Sequence, residues 1–189
     1  MKKNIILAGV GGQGILSIAT VIGEAATKAN LYLKQAEVHG MSQRGGDVHS
    51  NLRLSTEEIF SDLIPKGQAD LIIAMEPMEA LRYVPFLNKD GWVITSSEPF
   101  INIPNYPDEQ KIADDLKQLP HIKSMPINSI AKEIHAPRSA NMVLLGMAAE
   151  AIGIVSPNDL REAIGRIFAQ KGERIVENNY KAFDLGLKG

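Results

Sequence analysis

Lys3-Asn4-Ile5-Ile6-Leu7-Ala8-Gly9-Val10-Gly11-Gly12-Gln13-Gly14 decides the fold, because a continuous apolar run ends in glycines and the residues beyond it change period. A short apolar run bounded by glycine reads as a strand buried on both faces. From there Ile15, Ile18, Ala19, Ile22, Ala26 and Ala29 fall at offsets 0, 3, 4, 7, 11 and 14, one stripe of a helix. Strand, glycine turn and helix open a βαβ unit. Residues 9–14 also spell G-x-G-x-x-G in the setting a dinucleotide fingerprint requires. On that pattern Gly9 allows the tight turn, Gly11 a close approach of backbone to a ligand, and Gly14 the packing of helix on strand. The helix start offers its free N–H groups to an anion.

The alternation continues outward. Strands are predicted over residues 31–38, 48–54, 70–74 and 91–95, with an edge strand at 122–125. Pro77 starts a helix through 78–84, and a polar helix covers 108–117. Residues 96–107 carry Pro99, Pro104 and Pro107 with little periodicity, the mark of a surface excursion. The last third is helical: 139–152, then Ser156-Pro157-Asn158-Asp159 as cap, first-turn proline and capping-box acid for a helix to about residue 170, then a last helix after Gly172. With no repeat or linker, the expectation is one α/β domain over 1–189. It should have a Rossmann-like, open, mostly parallel sheet, helices on both faces and extra C-terminal helices.

Composition narrows the chemistry. The 189 residues contain no cysteine, which excludes a thiolate nucleophile, a disulfide and a Cys-ligated cluster or zinc site. A net charge of -2 without a basic stripe argues against nucleic acid. Lys2-Lys3 and the apolar run after them mimic a signal peptide, but the run breaks into glycines too soon. Residues 142–155 fall short of a membrane span and carry Glu150. A soluble, cytoplasmic protein without membrane contact is expected. The four histidines, His39, His49, His121 and His135, are dispersed and make no metal-ligand spacing. Ser42 has His39 nearby but no nucleophile-elbow sequence, so no catalytic residue is assigned.

Two segments remain as candidates for ligand or partner binding. One is the glycine turn, Gly9, Gly11, Gly12, Gln13 and Gly14. The other is the loop His39, Gly40, Met41, Ser42, Gln43, Arg44, Gly45 and Gly46, placed where ligands of open parallel sheets gather, with a fixed guanidinium before two glycines. Asn141, near the start of an apolar helix, is a candidate cap or interface residue. A dinucleotide site further needs an acid at the end of the second strand, and Glu37 stands 23 residues past Gly14. The loop behind it, with Met41, Gln43 and Arg44, is atypical of such sites. The favoured reading is therefore a glycine turn that packs the sheet and meets a partner, with a free-standing NAD(P)-binding reductase as the alternative.

Taken as a set, residues 9–14, the stretch E-V-H-G-M-S-Q-R-G-G at 37–46, L-I-P-K-G at 63–67, A-D-L-I-I-A-M-E-P-M-E-A-L-R at 69–82 and N-M-V-L-L-G at 141–146 resemble the gamma-type subunit of 2-oxoacid:ferredoxin oxidoreductases. The indolepyruvate branch is the nearest likeness, and a pyruvate or 2-oxoglutarate branch the alternative. The resemblance covers nearly the whole chain. It implies a complex that oxidatively decarboxylates a 2-oxoacid with coenzyme A to an acyl-CoA, carbon dioxide and reduced ferredoxin. It places thiamine diphosphate and iron-sulfur clusters in a large partner subunit, because this sequence has neither cysteines nor the G-D-G signature of a thiamine diphosphate site. Ferredoxin would be met through the complex, and the isolated chain would be inactive. A subunit with no ligand of its own is the third reading.

Overall fold

The computed structural model describes residues 1–40 and 46–189. Among the described residues the strands are β1 (Lys2–Val10), β2 (Tyr32–His39), β3 (Asp47–Ser55), β4 (Ala69–Ala74), β5 (Leu87–Ser96) and β6 (Ile122–Met125), and they form one sheet in the order β2-β3-β1-β4-β5-β6. The helices are α1 (Ile15–Lys28), α2 (Pro77–Tyr83), α3 (Glu109–Lys117), α4 (Ile127–Glu133), α5 (Ala140–Ile152), α6 (Pro157–Phe168) and α7 (Glu173–Lys188). β1, β4, β5 and β6 pair in parallel. β3 is antiparallel to both β1 and β2, so it alone runs against the rest. The mostly parallel expectation holds in strand direction.

Alternation along the strands sorts the core into two layers. Ile5, Leu7, Leu52, Leu54, Leu71, Ile73 and Ile94 meet the apolar faces of α1 and of α4 to α7. Ile6, Ala8, Ile72, Ala74 and Val93 meet Ala80 and Tyr83 of α2 and Ile112 and Leu116 of α3. β1 is buried from Asn4 onward because it lies centrally with both faces covered. α6 starts on the expected capping box, Ser156 Oγ accepting from the Asp159 N–H while the Asp159 side chain accepts from the Ser156 N–H. α5 is buried over nearly its whole length, against β4 and β5 on one side and α7 on the other. There Gly146 and Gly186 let the two backbones touch: a Cβ on Gly146 would lie 2.1 Å from the Phe183 carbonyl oxygen.

Two features depart from expectation. The sequence assigns no helix to 127–133, yet α4 stands there; its amino end is capped from far away, by the Glu98 carboxylate accepting from the N–H groups of Asn128 and Ser129. β3 also intrudes between β1 and β2, which a simple βαβ unit would place side by side.

Candidate functional site

β1, β4, β5 and β6 all deliver their carboxyl ends to one edge of the sheet. Between β1 and β4 the connections part, α1 running to one face and α2 to the other, and such a switch point leaves a crevice in open α/β sheets. A cavity of about 970 Å³ opens there. The glycine turn, with Gly12, Gln13 and Gly14, lines it, as does Met75 after β4. Phe100 and Asn128 line it too. Residues 135–141 and the start of α7, with Arg174, Ile175, Asn178 and Asn179, complete the lining.

The turn is built differently from the fingerprint reading. Gly12 and Gly14 carry the positive φ angles, 99° and 86°. Gly9 makes no turn: it lies inside β1 opposite Val48, where a Cβ would come within 3.0 Å of Ile15. Gly11 does not face a ligand with its amide, because its N–H donates to the Gly46 carbonyl at 2.9 Å. The Gln13 side chain folds back to accept from the Val10 N–H at 2.7 Å. Gly14 is the N-cap of α1 and brings no side chain to the helix start, so the dipole end faces the cavity.

Asn141 ties the walls together. Its Nδ2 donates to the Gly14 carbonyl at 3.1 Å, and a Cβ on Gly14 would collide with it at 2.7 Å. It is thus an interface residue between α5 and the turn, and no side chain caps α5. One step away Ser139 Oγ donates to Asn179 Oδ1 at 2.7 Å, both buried, and this bond fixes α7 to the start of α5.

The cavity's charge is one-sided. Among the described residues Arg138, Lys171 and Arg174 line it, and no aspartate or glutamate does. Among the described residues neither Arg138 nor Arg174 has an ion-pair partner, and Lys171 Nζ sits 5.1 Å from the Phe168 ring centroid. Exposed cations around an open helix start make a field that attracts an anion. These residues were missed in the sequence. The signal available was the placement of Arg138 and Arg174 beside the starts of two C-terminal helices.

The other site candidates are placed as follows. Gly46 abuts the glycine turn through its bond to Gly11, while Met41, Ser42, Gln43, Arg44 and Gly45 lie outside the described residues. His39 is half-exposed on the edge strand β2 and away from the cavity, its Nε2 paired with Glu37 at 2.7 Å. Glu37 therefore does not stand beside the glycine turn, where the dinucleotide reading would need it. It is two strands from β1, about 10 Å at ordinary strand spacing, with its carboxylate already engaged.

On the opposite face of the sheet a second polar group gathers beside α2. The His49 ring lies 4.8 Å from that of Tyr83, and burial lowers the His49 pKa below its ordinary 6.5, partly opposed by the Asp47 charge. Burial raises the Glu79 pKa although Arg82 donates to its carboxylate at 2.8 Å, and it raises the Tyr83 phenol as well, so that Tyr83 keeps its proton. No cluster able to hold a metal ion occurs among the described residues. No helix there is long and apolar enough to cross a membrane.

Comparison with known proteins fits this architecture. Residues 4–189 match the family described as pyruvate ferredoxin/flavodoxin oxidoreductase. Indolepyruvate oxidoreductase subunit IorB of Pyrococcus horikoshii is 36% identical over 198 residues, covering 100% of this chain and 96% of the relative. 2-Oxoglutarate synthase subunit KorC of Methanothermobacter marburgensis is 30% identical, covering 98% and 95%. Among solved structures, the gamma subunit of a keto/oxoacid ferredoxin oxidoreductase from Geobacter sulfurreducens superposes with a TM-score of 0.70 at 26% identity, over 98% of this chain and 96% of that one. 2-Oxoglutarate:ferredoxin oxidoreductase from Magnetococcus marinus, solved with 2-oxoglutarate, coenzyme A and succinyl-CoA bound, gives 0.77 at 25% identity. There this chain, covered to 99%, corresponds to 30% of a longer polypeptide. An end-to-end match at this identity, on a fold whose glycine turn and C-terminal helices frame one cavity, places the chain in the pyruvate ferredoxin/flavodoxin oxidoreductase family, as a small subunit of gamma type.

Proposed function

We propose that the chain serves an indolepyruvate ferredoxin oxidoreductase, and that its cavity holds the phosphates of coenzyme A for a reaction centred in a large partner subunit. The end-to-end likeness to IorB subunits supports the first half. The single structural observation that carries the second is the cavity's lining, with Arg138, Lys171, Arg174 and the open start of α1 and, among the described residues, no carboxylate. A Cys-ligated iron-sulfur cluster does not fit this chain, which has no cysteine. The clusters and thiamine diphosphate belong to the partner. Held there, thiamine diphosphate would supply the decarboxylation of the 2-oxoacid, and the clusters would supply the route by which its two electrons leave for ferredoxin while coenzyme A takes the acyl group. This chain's part is to bind and orient: guanidinium groups grip phosphate in two-point contacts, and the glycine turn lets an anion approach backbone that bears no Cβ.

The test is reconstitution with the large subunit. The chain alone should be colourless and should not turn over indolepyruvate, whereas the assembled complex should do so with coenzyme A. Losing one charge-assisted contact costs about 1.5 to 3 kcal/mol, so Arg174→Ala should raise the KM for coenzyme A roughly ten- to a hundredfold with little change in kcat. An unchanged KM in both Arg174→Ala and Arg138→Ala would reject the cavity as the phosphate site, and cluster absorbance in the pure chain would reject the division of labour.

A further inference from the structure

Glu76 is a carboxylate with no solvent exposure at all, at the junction of β4 and α2. One oxygen, Oε2, accepts from the Glu79 N–H at 2.9 Å and caps α2. Capping alone does not require a buried glutamate; α3 and α6 are capped by the short side chains of Asp108 and Ser156, on residues open to solvent. The other oxygen, Oε1, reaches into the excursion of residues 97–107, accepting from the Phe100 N–H at 3.3 Å and from the Tyr106 hydroxyl. A buried carboxylate is costly unless such donors surround it. The excursion thereby gains a fixed point at each end of its loop.

What those bonds hold is Phe100. Phe100 lines the cavity yet remains 46% exposed, so burial does not anchor it. Pro99 stiffens the backbone just before it, and Glu98 binds the N–H groups of Asn128 and Ser129, which ties the same stretch to the cavity residue Asn128. An exposed aromatic face held by polar bonds beside a cationic wall is suited to a ring that carries phosphates.

Resting on the phosphate reading of this cavity, we propose that Glu76 is a positioning residue. It acts through Phe100, whose ring it holds as the aromatic wall against which the heteroaromatic base of coenzyme A stacks. The test uses the reconstituted complex with coenzyme A as the probe. Phe100→Ala and Tyr106→Phe should each raise its KM about two- to tenfold with kcat unchanged, the range of one aromatic contact. In the Phe100→Ala background Tyr106→Phe should add nothing. Amide exchange across residues 97–107 should speed up in Tyr106→Phe, which keeps the core intact even where Glu76→Gln fails to fold. If Arg174→Ala raises the KM and Phe100→Ala does not, or the two excursion variants add, the positioning role is overturned while the cavity reading stands. If Arg174→Ala, Arg138→Ala and Phe100→Ala all leave the KM unchanged, both fall.

Discussion

Adding one methyl group at Gly146 tests whether the α5–α7 contact holds the site together. A Cβ there would stand 2.1 Å from the Phe183 carbonyl oxygen, 2.9 Å from the Leu187 nitrogen and 3.0 Å from the Phe183 carbonyl carbon. All three are backbone atoms and cannot rotate away. α5 is enclosed by the sheet and its neighbouring helices, so α7 must retreat, by about 1 Å or slightly more to restore ordinary contacts. Overpacking of this kind costs about 1 to 3 kcal/mol, and a backbone clash sits at the upper end. The gain of alanine over glycine in a helix returns about 1 kcal/mol, which leaves a net loss of roughly 2 kcal/mol. At about 2 to 4 °C per kcal/mol for a chain of this size, Gly146→Ala should lower Tm by about 4 to 8 °C. Gly23→Ala in α1 is the matched control, because its Cβ meets only the flexible tip of Leu33 at 3.3 Å; it should hold or raise Tm. Retreat of α7 also strains the Ser139–Asn179 bond and displaces Arg174, so Gly146→Ala should weaken coenzyme A in the complex. A Gly146→Ala variant that melts level with the parent, or with Gly23→Ala, would refute the reasoning.

Three further outcomes can be checked on the chain itself. His49 is lowered by burial, so between its folded pKa and the ordinary 6.5 the unfolded chain binds more protons, and stability must fall as pH drops below about 6.5. His49→Phe, which keeps a ring against Tyr83, should flatten that limb of a Tm–pH curve; an equal slope in both proteins would count against the assignment. Glu79, raised by burial, has the opposite sign: the stability it contributes is present below its ordinary 4.5 and lost as pH rises through its folded pKa, alike in both proteins. Arg53 is buried and donates to the carbonyls of Ser61 and Leu63 and to Asn4 Oδ1, so Arg53→Met should cost about 2 kcal/mol and speed proteolysis within residues 57–63. Unaltered urea midpoint and cleavage would contradict this. Millimolar NAD should leave Tm unmoved, whereas a true site at a hundredfold excess over Kd would add about 2.7 kcal/mol; a shift abolished by Glu37→Ala would restore the dinucleotide reading.

What could be read in advance follows the range of the interactions concerned. β1, α1 and the capped start of α6 were legible because apolar period, glycine and a local capping box lie within a few residues of one another. α4 was missed although Ile127, Ile130, Ala131 and Ile134 fall at helical spacing: its cap comes from Glu98, some thirty residues upstream, so no neighbouring side chain marks its start. The cavity's cations were likewise invisible as a set, since Arg138 and Arg174 become neighbours only when α7 packs on α5 through Gly146 and Gly186. The strand placement departs from the fingerprint's geometry for a reason that sequence length does contain. Residues 40–46 are too few for a crossover between parallel strands, which takes a dozen or more, so β3 had to return antiparallel to β2. Whether it returned outside β2 or between β2 and β1 is a matter of tertiary pairing, and it went between. That choice removes Glu37 from the glycine turn and puts Asp47 opposite Val10 instead. It also turns the Gly11 amide toward the Gly46 carbonyl, so Gly46 is fastened to the turn where a nicotinamide cofactor's diphosphate would otherwise approach. The same glycines therefore serve a different geometry: Gly12 and Gly14 open the start of α1 toward the C-terminal helices, and the anion-attracting charges come from Arg138, Lys171 and Arg174 in place of a ribose-binding acid.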